Sequence, residues 1–221
     1  MEKAQYKALL MDLDNTLYAY EPCNRKAIEA IVERVSKESK RSKEEILRMY
    51  QQAREEVKET TGKTAASHAR LLYIQRLLEK IEGRTDVEKT KQLHELFWKT
   101  YYQEMKLFSG VKEFLETLKK NKIKIAIVTD MLADIQMQKI KVLGIEKDID
   151  FLITSEEAGH DKPHPAIFQL GLKKLGRNAD EVLMLGDEPE KDIEGAKKLG
   201  ISAVLINENS FKNGKLAAYF L

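Results

Sequence analysis

The chain holds a single cysteine, Cys23, in 221 residues, so no intrachain disulfide can form and a zinc site of paired thiolates is excluded. Proline numbers only four, and neither an internal repeat nor a low-complexity linker is evident. No stretch approaches the ~18 consecutive apolar residues of a membrane span, and the start MEKAQYKALLMD lacks the apolar segment and cleavage site of a secretory signal. The expectation is a soluble, cytoplasmic protein with no membrane partner. A dominant charge is lacking too: 38 basic and 36 acidic residues leave a formal +2. No overall field argues for nucleic acid as a partner, and any basic patch must be local.

What the chain has is apolar content, at 43%, enough for a sizeable core. One third of its residues are charged, with signs interleaved as in RSKEEILRMYQQAREEVKE. That pattern suits solvated helix faces and resembles the surfaces of heat-adapted proteins.

Five segments rich in Val, Ile, Leu and Met stand out: Lys7 to Met11, Ile123 to Thr129, Phe151 to Thr154, Val182 to Leu185 and Ala203 to Ile206. Apart from Lys124 they run without polar alternation, as strands covered on both faces do. Helical patterns separate the later runs. Val111, Phe114, Leu115 and Leu118 share a face; Ile140 and Leu143 precede Gly144; Pro165 to Leu175 stops at Gly176; Ile193 to Leu199 stops at Gly200. Strand alternating with helix predicts an α/β fold, a doubly wound parallel sheet.

Pro22 to Met105 carries helix signals and no convincing strand. Ser42 with Glu45, and Thr85 with Glu88, fit the capping box, and Ile46, Tyr50, Ala53 and Val57 mark an apolar stripe. About four helices are expected there, inserted after the first strand. The domain expectation is a core of residues 1–17 and 106–221 and an all-α insert of residues 18–105, with hinges near Tyr18 to Pro22 and Met105 to Ser109.

In open parallel sheets ligands bind at the carboxyl ends of the strands, so what each apolar run ends on matters. The first, YKALLMDLDNTL, closes on Asp12 and Asp14, two like charges beside a segment destined for burial, which costs several kcal/mol unless they are paired. The second ends in Thr129 and Asp130, the third is followed by Lys162 and Pro163, and the fourth ends in Gly186 and Asp187 with Asp192 beyond. Each alone reads better as a turn, a cap or a solvated charge. Together they deliver carboxylates, a hydroxyl and an ammonium to one edge.

The motifs DLDNT, VTD, DKP and GDEPEKD resemble, in kind and order, the four signatures of the haloacid dehalogenase superfamily. The insert looks like the helical cap of its phosphoglycolate-phosphatase-like and β-phosphoglucomutase-like members. The resemblance implies a Mg²⁺-dependent phosphatase acting on a small phosphorylated metabolite, as a monomer or homodimer. Asp12 would be the nucleophile, Asp14 the general acid and base, Thr129 a hydrogen-bond donor to phosphate and Lys162 its counter-charge. Asp12, the backbone carbonyl of Asp14 and Asp187 would bind the metal, with Glu188 and Asp192 behind them. Thr16 and Asp130 are further substrate-binding candidates, although many relatives carry Asn or another residue at the position of Asp130.

An acid at Asp14 sets phosphatase above dehalogenase, because halide leaves without a proton whereas an ester releases an alkoxide. Lys63, His68 and Arg70 of the insert are candidate substrate contacts, with ordinary polar positions at a helix start as the alternative. The GKT of residues 62–64 would need a first phosphate-loop glycine where Val57 stands, inside a helical pattern, and is rejected. His164 reads as a helix-start residue, and Phe97 and Trp98 as packing. A phosphomutase of the β-phosphoglucomutase type and a non-catalytic phosphate-binding regulator remain as alternatives.

Overall fold

A computed structural model describes residues 6–212 and 214–221; the first five residues of the expected core segment lie outside the described residues. The chain divides into two compact units, Met1–Ala19 with Lys106–Leu221, and Tyr20–Met105.

The first unit is a five-stranded sheet, every pair parallel, in the order β3-β2-β1-β4-β5. Its strands are β1 (Ala8–Met11), β2 (Lys124–Thr129), β3 (Phe151–Thr154), β4 (Val182–Gly186) and β5 (Ser202–Leu205). The central run Ala8, Leu9, Leu10, Met11 is wholly buried, as an uninterrupted apolar strand must be when both faces are covered. β5 departs from the expectation: it starts one residue earlier, and none of its side chains is fully buried because it is an edge strand.

Helices of the conventional length cover the sheet: α5 (Val111–Lys120), α6 (Ala133–Leu143) and α8 (Pro165–Leu175). The single turns α7 (Ser155–Ala158) and α9 (Gly195–Lys197) complete the wind. In α8, Gly171 lies so close to the sheet that a Cβ would stand 2.9 Å from Leu10 Cδ2, which brings Ile167 and Phe168 into the core beside Leu10 and Val128. The expected helix from Ile193 to Leu199 is instead a π-helical turn, Pro189–Glu194, running into α9. Such turns recur at functional sites because they redirect a side chain.

The second unit is all-α: α1 (Tyr20–Ser39), α2 (Lys43–Thr61), α3 (Arg70–Glu82) and α4 (Val87–Glu104), with a 3₁₀ turn at Ala65–His68. Ser42 caps α2, accepting from the N–H of Glu45 at 3.1 Å. The Thr85 box is not formed. Asp86 caps α4 through the N–H of Lys89 at 2.9 Å, while the Thr85 hydroxyl donates to Glu79 at 2.6 Å. Phe97, Trp98 and Tyr101 pack ring on ring inside this unit. The structure therefore joins a parallel α/β core to an inserted all-α cap domain. No helix among the described residues is long and apolar enough to cross a membrane.

Candidate active site

Register brings the strand ends level. Met11 lies beside Ile127 on one side and Leu185 on the other, so Asp12 emerges beside Gly186, and its N–H donates to the Leu185 carbonyl at 2.9 Å. Beyond it the chain turns through Asn15, at φ 60°, a left-handed conformation asparagine tolerates. That turn carries Thr16 back so that its hydroxyl lies 3.1 Å from Asp12 Oδ2 and 3.1 Å from Asp187 Oδ1.

Lys162 is buried and joins two carboxylates, its Nζ 2.5 Å from Asp12 Oδ1 and 2.7 Å from Asp192 Oδ1. Asp192 comes from the π turn. Its Oδ2 accepts from the N–H of Glu188 at 3.0 Å and lies 2.3 Å from where a Cβ on Gly186 would stand, so only glycine leaves room for it. The carboxylates of Asp12, Asp187 and Asp192 each offer an oxygen within 4.8 Å of the others. Burial pushes the carboxyls of Asp12 and Asp187 up, and neighbouring carboxylates add to it, Asp192 and Asp14 at Asp12 and Asp192 at Asp187. Lys162 pulls the other way and is itself held well above its ordinary value by Asp12, Asp192 and Asp130 against the cost of burial.

Three carboxylates share one buried ammonium among the described residues, so the cluster has a deficit of positive charge. Oxygen donors converging on such a deficit fit a hard divalent cation. Asp192, expected behind the ligands, is one of the three, whereas the Glu188 side chain is half exposed and paired with Lys191 at 3.0 Å.

Asp14 lies apart from that cluster in its contacts. Both of its oxygens accept from Lys139 Nζ, at 2.8 and 2.7 Å, and Oδ1 also accepts from the Tyr18 hydroxyl. Burial raises its carboxyl, but Lys139, Tyr18 and Gln136 outweigh that and hold it below the ordinary value. Thr129 is buried at the end of β2, where Gln136 Nε2 reaches its Oγ1 at 2.6 Å and the Asp130 carbonyl at 3.0 Å. The Asp130 carboxylate accepts from the N–H of Lys162 at 2.8 Å, tying the second motif to the third. Met131 sits at φ 128°, a strained value held by its N–H to Ser155 Oγ at 2.9 Å.

Direct contacts thus join Asp12, Thr16, Lys162, Asp187 and Asp192, and Asp130 links Thr129 to that group. Sequence reasoning missed Gln136 and Lys139, both fully buried on α6. Their signal was two polar residues at i, i+3 on the stripe of Ile135, Ile140 and Leu143.

The candidates in the helical unit behave differently. Lys63 is exposed and His68 partly so. Arg70 is buried, its guanidinium near the rings of Tyr20, Tyr73 and Phe97, with Nη1 donating to the His68 carbonyl at 2.7 Å and Nη2 to the Tyr20 hydroxyl. His164 caps α8, accepting from the N–H of Ala166 at 3.2 Å.

A central strand ending in a lysine-paired aspartate, followed by an all-helical insertion before the second strand, is the plan of one class of α/β hydrolase. The chain belongs to that class, the haloacid dehalogenase-like hydrolase family, whose model matches residues 9–206. It is 41% identical over 201 residues to a ribulose-1,5-bisphosphate 5-phosphatase of Halopiger xanaduensis, covering 90% of this chain and 84% of that one. It is 31% identical over 211 residues to a glyceraldehyde 3-phosphate phosphatase of Methanopyrus kandleri, covering 94% and 86%. Among solved structures, a HAD phosphatase from Thermococcus onnurineus superposes with a TM-score of 0.73 at 25% identity, covering 92% of this chain and 87% of that one.

Proposed function

We propose that this protein is a Mg²⁺-dependent phosphatase of the phosphoglycolate-phosphatase-like branch, hydrolysing the monoester of a small phosphorylated carbohydrate through an aspartyl phosphate on Asp12. The observation that carries the reading is the meeting of Asp12, Lys162, Asp187 and Asp192, three acids and one base that have no need of each other for stability. The two curated relatives support the substrate class, both being named for sugar phosphates.

An aspartate needs no base to become a nucleophile at neutral pH, provided nearby cations hold it ionised. Lys162 favours that form at Oδ1, although burial still raises the carboxyl on balance, and Thr16 orients Oδ2. Mg²⁺ held by Asp12, Asp187, Asp192 and the backbone carbonyl of Asp14 would supply the remaining positive charge against which a dianionic phosphoryl group can approach an anion. The Asp12 oxygen forms a bond to phosphorus as the ester oxygen departs. Thr129 and Lys162 bind the equatorial oxygens.

Asp14 manages the proton. Protonated, it gives a proton to the departing alkoxide; ionised, it takes one from the water that cleaves the acyl phosphate. Lys139 favours the ionised form, so the second step finds its base ready and the first draws on the smaller protonated fraction.

The test is phosphate release from p-nitrophenyl phosphate and from a panel of phosphoglycolate, triose, pentose and hexose phosphates and nucleoside monophosphates, with Mg²⁺ or EDTA. Expected are metal-dependent turnover, preference for a small sugar phosphate, and loss of activity in a folded Asp12→Asn variant. Normal turnover by that variant would refute the nucleophile. A hexose 6-phosphate formed from the 1-phosphate would replace hydrolysis with mutase chemistry.

A further inference from the structure

Gln136 is fully buried on α6, and beyond the hydrogen bond by which it helps hold the Asp14 carboxyl down, the chemistry above gives it no role. Its amide orientation is fixed by its partners. The Asp130 carbonyl can only accept, so the group 3.0 Å from it must be the NH₂ end, and that same nitrogen lies 2.6 Å from Thr129 Oγ1. Thr129 therefore accepts from Gln136, and its own proton must point elsewhere. Its intramolecular alternative is the Asp130 carbonyl at 3.5 Å, at the limit of a hydrogen bond.

The opposite end of the amide, Oε1, is buried with no hydrogen-bond partner among the described residues. An apolar side chain of the same size would avoid that penalty, so the amide costs stability that only its donor end can justify.

We propose that Gln136 is a positioning residue: by donating to Thr129 it turns the threonine hydroxyl proton outward, toward the phosphoryl oxygens. This rests on the phosphatase reading of the site. A hydroxyl is both donor and acceptor, and next to an anion only the donor face is useful. Without Gln136 the rotor relaxes onto the Asp130 carbonyl and presents lone pairs to phosphate.

The test is a cycle of Gln136→Met, Thr129→Ala and the double variant, read by calorimetric titration of inorganic phosphate in Mg²⁺ and by KM and kcat with p-nitrophenyl phosphate. Losing a hydrogen bond to an anion weakens phosphate binding and raises KM by about tenfold in Gln136→Met, with kcat changed less, since ground state and transition state both use it. In the Thr129→Ala background the same substitution should add less than about twofold. Gln136→Leu, which is uncharged and likewise unable to donate, should weaken phosphate binding to the same extent, and serves if the methionine variant does not fold.

Unchanged phosphate binding in the folded Gln136 variants, beside a wild type that binds phosphate, overturns the inference alone. An equal effect of Gln136→Met with and without the Thr129 hydroxyl also overturns it, because the residue would then act by packing. A wild type that neither binds phosphate nor releases it from esters overturns the reading of the site and this inference with it.

Discussion

Replacing Asp187 by Asn separates metal binding from folding. Asp187 faces Asp192 and, through Thr16, Asp12, and burial and that crowding raise the carboxyls of Asp12 and Asp187 above the ordinary value of 3.8. A carboxyl raised on folding binds more protons in the native than in the unfolded state. Its contribution to stability is therefore largest at acid pH and shrinks as pH climbs from about 3.8 through the raised value. Asparagine keeps an oxygen to accept from Thr16 and removes one charge, so Asp187→Asn should hold or raise the melting midpoint in EDTA at pH 7.

A ligand at 100 times its Kd adds about 2.7 kcal/mol, and a chain of this size shifts by about 2–4 °C per kcal/mol. Saturating Mg²⁺ should thus raise the wild-type midpoint by about 5–10 °C and that of Asp187→Asn by less than about 2 °C. Thermal scans of both proteins in EDTA and in Mg²⁺, at pH 5 and pH 7, read the eight midpoints. A wild type indifferent to Mg²⁺, or an Asp187→Asn variant that melts well below wild type in EDTA, would show that the acids are not held together against their own repulsion.

Gly186→Ala should cost about 1–3 kcal/mol in urea unfolding and weaken Mg²⁺ binding, because the new methyl occupies the place of the Asp192 carboxylate; an unaltered metal titration would mean that Asp192 is no ligand. Lys139→Met leaves Asp14 buried without its cation, a loss of about 3–5 kcal/mol for a fully buried pair and nearer ~3 here because Asp14 retains some exposure. Lowered in the native protein, Asp14 stabilises above 3.8 and loses that as pH falls through its depressed value; in the variant its carboxyl rises, so the deficit measured by urea should narrow toward acid pH. A deficit independent of pH would contradict the pairing.

What could be read from the residues followed from how strongly burial constrains them. Leu9, Leu10 and Met11 had to be a strand covered on both faces, and the acids after them stood out against that run. β5 was misread as equally enclosed because apolar composition does not say which strand lies at an edge. Thr85 and Asp86 are adjacent and both able to cap; the choice fell to Asp86 because Glu79, from α3, engages the threonine. Asp192 moved from a supporting place into the cluster because a π turn, which no periodicity announces, brings it over Gly186. Gln136 and Lys139 looked like interruptions of an amphipathic helix, and only tertiary pairing reveals that their polar ends meet Thr129 and Asp14.

The contacts sort the charges into two groups with different needs. Asp12, Asp187 and Asp192 share Lys162 and stay short of positive charge, so an incoming dianion is repelled until a cation is in place. On the proposed reading that imposes an order, metal before ester. Asp14 with Lys139 is already balanced, and adding the metal does little to its charge. A reaction that expels halide uses only the first group, since its leaving group takes no proton. A reaction that expels an alkoxide needs a second site where a proton can be given and then recovered, and on the proposed reading Asp14, paired with its own lysine, exchanges that proton while its charge bears less on the Asp12 carboxyl than that of Asp192 does. On the proposed reading, the buried Lys139, which also lies over the Tyr18 ring, serves the second kind of chemistry by favouring the ionised form of Asp14.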